Sequence, residues 1–231
     1  MKKIGLIGGL SWESTVLYYE HINTLARKAS AHCAKIILHG MDFAEVTQLT
    51  QQGSYDVLQE KLIATAQKIE ASGADCILMC SNAVHQFAGA VQSSLSIPLL
   101  HIADAAADSM NAHRIRKAGV LGTKQTMEQD FYHERLAAHG ITSLIPSAAD
   151  RDVLQQIIFQ ELTKGILSSS SKQHLQDIAG RLKADGAEGI VLGCTELPLL
   201  LAQDDVDIPL FNTTYLHAEQ AVQFALAPVP I

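Results

Sequence analysis

The strongest constraint on this chain is that its sequence is written twice. Gly5-Leu6-Ile7-Gly8 returns as Gly119-Val120-Leu121-Gly122, and Gly73-Ala74-Asp75 returns as Gly186-Ala187-Glu188. Cys80 is matched by Cys194, and Ile97-Pro98-Leu99 by Ile208-Pro209-Leu210. Residue 119 minus residue 5 and residue 194 minus residue 80 both give 114. Any single match is a common α/β fragment. Four in the same order at nearly constant spacing imply two similar halves, related by a pseudo-twofold axis with a cleft between them.

Each half reads as alternating strands and helices. Short apolar runs end in glycine or a small polar residue: 4–9, 36–40, 76–80, 118–122 and 189–193. Runs of this length, rich in β-branched residues and separated by longer amphipathic segments, predict parallel strands buried on both faces. The segment 54–69 shows the helical period, with Val57, Leu58, Leu62, Ala66 and Ile69, and Gly73 stops it before the next strand. Ligands of open parallel sheets bind at the carboxyl ends of the strands. Cys80 and Cys194 fall at such ends, one in each half.

Composition removes several function classes. The 231 residues carry a formal net charge of −7 and no long Lys/Arg run, which argues against nucleic acid. No apolar stretch approaches the roughly 20 residues that span a bilayer. The opening Met1-Lys2-Lys3 and its apolar run pass directly into Ser11-Trp12-Glu13, which fits a first buried strand better than a signal peptide. The 4 cysteines (33, 76, 80 and 194) lack a disulfide-framework spacing, so free thiols in a reducing cytoplasm are expected. Cys33 and Cys76 read as small buried apolar residues. Cys76, Cys80 and His85 find no second pair to complete tetrahedral ligation, so no metal is expected. Gly5, Gly8 and Gly9 fit neither a dinucleotide fingerprint nor a phosphate-binding loop.

Two thiols facing one carbon suit inversion at a carbon acid. One group must take a proton from one face while the other returns a proton to the opposite face. With an unperturbed pKa of about 8.5, cysteine has both forms within reach near neutrality. The start of a following helix stabilises thiolate through backbone N–H groups and the helix dipole. Packing alone is the competing reading for each cysteine.

The residues after the cysteines carry a resemblance. Cys80-Ser81-Asn82-Ala83-Val84-His85 and Gly193-Cys194-Thr195-Glu196-Leu197-Pro198 resemble the two signatures of the aspartate/glutamate racemase family, in its broad-specificity bacterial branch. Ala83 stands where that family usually has threonine. The loops 8–15 and 121–127 resemble the family's openings of the two halves. The resemblance implies an α/β fold of two similar Rossmann-like domains, with parallel sheets and the active site in the cleft. It also implies racemisation of amino acids by two cysteines without pyridoxal phosphate or another cofactor. The expected domains are 1–102 plus 212–231, and 103–211, the helix 215–226 packing back on the first half.

By similarity, Asn82, Thr123, Thr126 and Thr195 are the expected contacts to the substrate carboxylate, with Ser11 a further one from the opening loop. Helix capping explains the same hydroxyls. Lys164, after the helical segment 154–162, lies near where similar racemases of acidic substrates place a lysine for the distal carboxylate; Gly165 and the helix dipole equally explain a solvated lysine there. Glu196 either raises the Cys194 pKa, engages the substrate ammonium, or is a surface glutamate at a helix start. His85, His101 and His217 are not ranked by sequence. Homodimers are common on this scaffold. A maleate isomerase or hydantoin racemase would reuse both cysteines, and a small-ligand-binding protein would keep the cleft without turnover.

Overall fold

The structure is a computed structural model that describes residues 1–228; positions 229–231, the end of the 227–231 tail, lie outside the described residues. The chain folds as two compact units, Met1–Ile102 with the chain from His217 onward, and Ala103–Leu216. The first contains β1 (Lys3–Gly8), α1 (Trp12–Ser30), β2 (Lys35–Gly40), α2 (Phe43–Gln51), α3 (Tyr55–Ala71), β3 (Cys76–Met79) and α4 (Ala88–Ser93). α5 (Ile102–Ala112) leads into the second unit. There follow β4 (Lys117–Gly122), α6 (Lys124–Glu128), α7 (Asp130–Ala138), β5 (Thr142–Leu144), α8 (Ala148–Gln156), α9 (Ser169–Ala184), β6 (Gly189–Gly193) and β7 (Leu210–Asn212). α10 (Thr213–Leu226) returns the chain to the first unit.

Both sheets are parallel and wound in the same order. The first runs β2-β1-β3, with Leu6 between Leu38 and Leu78, and Leu99 adds an isolated parallel bridge beside Ile77. The second runs β5-β4-β6-β7. The repeat therefore extends from sequence into hydrogen bonding. Ile77 N–H donates to the Pro98 carbonyl at 2.9 Å, and Ile190 N–H to the Pro209 carbonyl at 2.8 Å. Gln92 accepts from Leu99 N–H at 2.7 Å and donates to the Ile97 carbonyl at 3.1 Å; Gln203 does the same with Leu210 at 2.9 Å and Ile208 at 3.0 Å. Gly73 and Gly186 hold φ of +88° and +94° at the helix-to-strand turns, a conformation that a Cβ would strain.

Helices cover both faces of the first sheet, as parallel strands require. Ile4 and Leu6 pack with Tyr18, Ile22 and Ala26 of α1 and with Ala218, Ala221, Val222 and Ala225 of α10. Ile7, Ile77 and Met79 meet Leu58, Leu62, Ala66 and Ile69 of α3, so the helical period of that segment faces the sheet. In the second unit Leu121, Ile190 and Leu192 pack with Leu175, Ile178, Ala179 and Leu182 of α9. Each fully buried Leu or Ile contributes about 1.5–3 kcal/mol relative to exposure.

Four local expectations are corrected. β2 is an edge strand rather than a buried one, and Leu38 is 48% exposed. Val57 points outward on α3, and Cys33 is exposed rather than packed. The segment 154–162 is not one α-helix. α8 ends at Gln156, a π-helical turn spans Ile157–Glu161, a 3-10 turn spans Leu162–Lys164, and Gly165 closes it at φ +71°.

Candidate active site

Each cysteine is the first residue beyond a fully buried strand, β3 or β6. In the first unit Cys80 N–H still donates to the Ile7 carbonyl at 2.9 Å, completing the ladder. The chain then turns through Ser81 and Asn82 into a 3-10 turn at Ala83–Phe87. The Cys80 carbonyl accepts from the Ser14 hydroxyl at 3.1 Å, which fastens the turn to the first turn of α1. Ser11 caps that helix, its Oγ taking the Ser14 N–H at 3.2 Å. Cys80, Ser11 and Asn82 are all buried.

The second unit builds the equivalent turn on β6. Cys194 follows Gly193, and a 3-10 turn begins at Leu197, whose N–H donates to the Cys194 carbonyl at 3.2 Å. Thr123 caps α6 by accepting from Thr126 N–H at 3.4 Å, and the two threonine hydroxyls lie 3.2 Å apart. Thr126 is fully buried, and a Cβ on Gly193 would stand 3.2 Å from its methyl group. Gly122 is equally tight: a Cβ there would meet the Gly193 carbonyl oxygen at 2.9 Å. These glycines let the α6 threonines close on the residue before Cys194.

Electrostatics separate the two thiols. The Cys194 Sγ donates to Glu196 Oε2 at 3.0 Å, and the Thr195 hydroxyl donates to the same oxygen at 2.7 Å. Burial, and then the Glu196 charge, push the Cys194 thiol well above its ordinary pKa; the backbone N–H groups of Thr195 and Glu196 oppose this and do not prevail. Burial alone pushes Cys80 up. The sequence argument that a helix start would favour thiolate is therefore corrected. Both cysteines enter 3-10 turns, whose dipoles are small, and desolvation dominates.

The structure gathers Ser11 and Asn82 at the Cys80 turn, and Thr123, Thr126, Thr195 and Glu196 at the Cys194 turn. Lys164 is exposed at the end of its 3-10 turn, where its Nζ donates to Gln160 at 2.9 Å. Sequence reasoning missed Ser14, whose only signal was its place three residues beyond a capping serine. Among the described residues no cluster of His, Cys, Asp or Glu could hold a metal ion, and no helix is long and apolar enough to cross a membrane.

The model of the family described as Asp/Glu/Hydantoin racemase matches residues 7–221. The chain belongs to that family. The match contains both cysteine turns and every candidate contact from Ser11 to Glu196. A candidate Asp/Glu racemase from Yersinia pestis is 41% identical, with a TM-score of 0.93 over 98% of this chain and 100% of that one. An aspartate racemase homologue from Pyrococcus horikoshii is 33% identical, with a TM-score of 0.86 over 97% and 99%. The broad specificity amino-acid racemase RacX of Bacillus subtilis is 28% identical over 75% of this chain and 74% of its own. Two α/β units with parallel sheets are thus the fold of the racemase family as well as of this chain.

Proposed function

We propose that this chain is a cofactor-independent amino-acid racemase of the aspartate/glutamate type, with Cys80 and Cys194 as its two acid/base groups. One observation carries the reading: a duplicated fold puts a buried cysteine directly after each of the equivalent strands β3 and β6. A packing role gives no reason for the same residue at both places. Family membership supports the reaction class, and the substrate named for the relatives supports an acidic or broader amino acid.

The chemistry follows from the two thiols. One cysteine as thiolate takes the α-proton, and its thiol partner gives a proton to the opposite face. The thiolate and thiol roles are exchanged when product leaves, and the reverse direction uses them in reverse. Electron density released at Cα flows into the substrate carboxylate, so donors aimed there stabilise the transition state. Asn82, Thr123, Thr126 and Thr195, with Ser11, are the proposed donors. Glu196 takes the substrate ammonium, and that positive charge relieves the carboxylate's pressure on Cys194. Cys194 is the thiol donor to Glu196, and Cys80, which has no such carboxylate beside it among the described residues, is the proposed thiolate partner. Lys164 would have to leave Gln160 to meet a distal carboxylate.

We also read the protein as cytoplasmic and homodimeric. Four free cysteines support a reducing compartment. Trp12, Val16 and Tyr19 form an exposed stripe on α1 at helical spacing, with Trp12 69% exposed, which supports a self-complementary contact. The proposed activity is tested by incubating purified protein, without pyridoxal phosphate, with L-aspartate and L-glutamate and separating the enantiomers. Appearance of the D form from either acid is expected. No inversion of either acid or of a wider amino-acid panel, with turnover of maleate or a hydantoin instead, would contradict it.

A further inference from the structure

Beneath the Cys80 turn lies a buried polar chain that the acid/base chemistry leaves unused. His85, His101, His217 and Tyr18 are all buried in the first unit. The ring of His85 lies 4.6 Å from that of His101 and 5.7 Å from that of His217, centre to centre. Three imidazoles and a phenol in a core are costly unless their hydrogen bonds are met.

The partners of two rings fix their tautomers. His85 Nδ1 is 2.7 Å from the Ser81 carbonyl, which only accepts, so Nδ1 carries the proton. His85 Nε2 then accepts from Ile102 N–H at 3.3 Å. His217 Nε2 donates to the Leu100 carbonyl at 2.8 Å, and its Nδ1 accepts from the Tyr18 hydroxyl at 2.8 Å. A second proton on His85 would set donor against donor at the Ile102 N–H, so that ring is neutral. Burial lowers the His217 pKa to about 3, so that ring is neutral as well.

These bonds converge on one stretch of backbone. Leu100 and Ile102 flank His101, where the chain passes from the Leu99 bridge into α5. His85 ties the carbonyl next to Cys80 to that stretch, and His217 ties the same stretch to α10 and, through Tyr18, to α1. α1 also supplies the Ser14 hydroxyl that holds the Cys80 carbonyl. The Cys80 turn is thus held at two successive carbonyls.

We infer that His85 is a positioning residue for Cys80: bonded to the Ser81 carbonyl and to Ile102 N–H, and braced by His217, it sets the turn from which the Cys80 sulfur reaches the substrate. It exchanges no proton with substrate. The inference rests on the reading of Cys80 as an acid/base group. The test compares His85→Leu, which loses both bonds, with His85→Asn, which keeps an N–H for Ser81. Readouts are kcat, KM, the primary isotope effect with Cα-deuterated substrate, and Tm, with Cys80→Ala as control. Misplacing a reacting group by about 1 Å costs roughly 100-fold; a kcat loss of that order is expected in His85→Leu. The loss should fall on kcat far more than on KM, the isotope effect should rise, and His85→Asn should recover most of the rate. Wild-type kcat and isotope effect in His85→Leu would overturn the inference, as would equal losses in both variants that merely follow Tm. Should His85→Leu not fold, His85→Gln takes its place, since its longer arm misplaces the N–H; wild-type kcat there would overturn the inference too. Activity surviving in Cys80→Ala would instead sink the underlying reading of Cys80.

Discussion

Cys194 and Glu196 are joined by a thiol-to-carboxylate hydrogen bond of 3.0 Å, and the acceptor oxygen is shared with the Thr195 hydroxyl. The bond needs Cys194 protonated, and the carboxylate charge opposes its ionisation. Burial opposes it further, with the Glu196 charge the second cause. Removing that charge should lower the Cys194 pKa. In Glu196→Gln the alkaline limb of kcat/KM, read in the direction where Cys194 is the acid, should move to lower pH. A limb that stayed in place would remove Glu196 from the control of Cys194.

Gly122 tests the packing behind the same turn. A Cβ there would sit 2.9 Å from the Gly193 carbonyl oxygen and 3.2 Å from Thr126 Cβ, so β4, β6 and α6 would have to part. Overpacking of this kind costs about 1–3 kcal/mol. Gly122→Ala should unfold at lower denaturant and lose activity beyond its loss of stability, because Thr123 and Thr126 move with α6. Unchanged denaturation midpoint and turnover would show that the close approach is immaterial.

His217 gives stability a pH dependence of known sign. Its pKa falls from 6.5 to about 3 on folding, so between those values the unfolded chain binds a proton that the folded one does not. Stability from this group is therefore complete above about pH 6.5 and is lost as pH falls toward 3, at up to roughly 1.4 kcal/mol per pH unit. His217→Gln, which keeps a donor and an acceptor, should flatten the fall in Tm between pH 6.5 and 4. Parallel Tm curves for the two proteins would contradict this.

The α1 stripe predicts association. Trp12→Glu puts a charge on its most exposed apolar residue and, at the first helical position, does not disturb the Ser11 cap. Light scattering should give a dimer mass for the wild type and a monomer mass for the variant. Equal masses would place the contact elsewhere or remove it.

What the sequence made legible was whatever repeats or buries itself in one segment. β1, β3, β4 and β6 announce themselves as apolar runs, because strands covered on both faces leave no room for polar residues. Both cysteine turns follow, since a strand end is a position in the chain. β2 misleads because its Ile36, Ile37 and Leu38 look like a core strand, while its edge place is decided only by the sheet order. The histidines are opaque for a different reason. His85 and His217 are defined by backbone partners at Ser81, Ile102 and Leu100, and a carbonyl or N–H leaves no mark on residue identity. Lys164 lies beyond a π-helical turn, which changes the direction of its side chain relative to a regular helix.

The central claim is tested most directly by exchange in D2O. Wild-type protein, Cys80→Ala and Cys194→Ala would each be incubated with L-aspartate and L-glutamate, with solvent deuterium at Cα and the D/L ratio followed together. Two-base chemistry requires that the wild type invert at least one of these acids with deuterium entering the product, and that each single variant lose inversion. Inversion that survives the loss of either cysteine would contradict it.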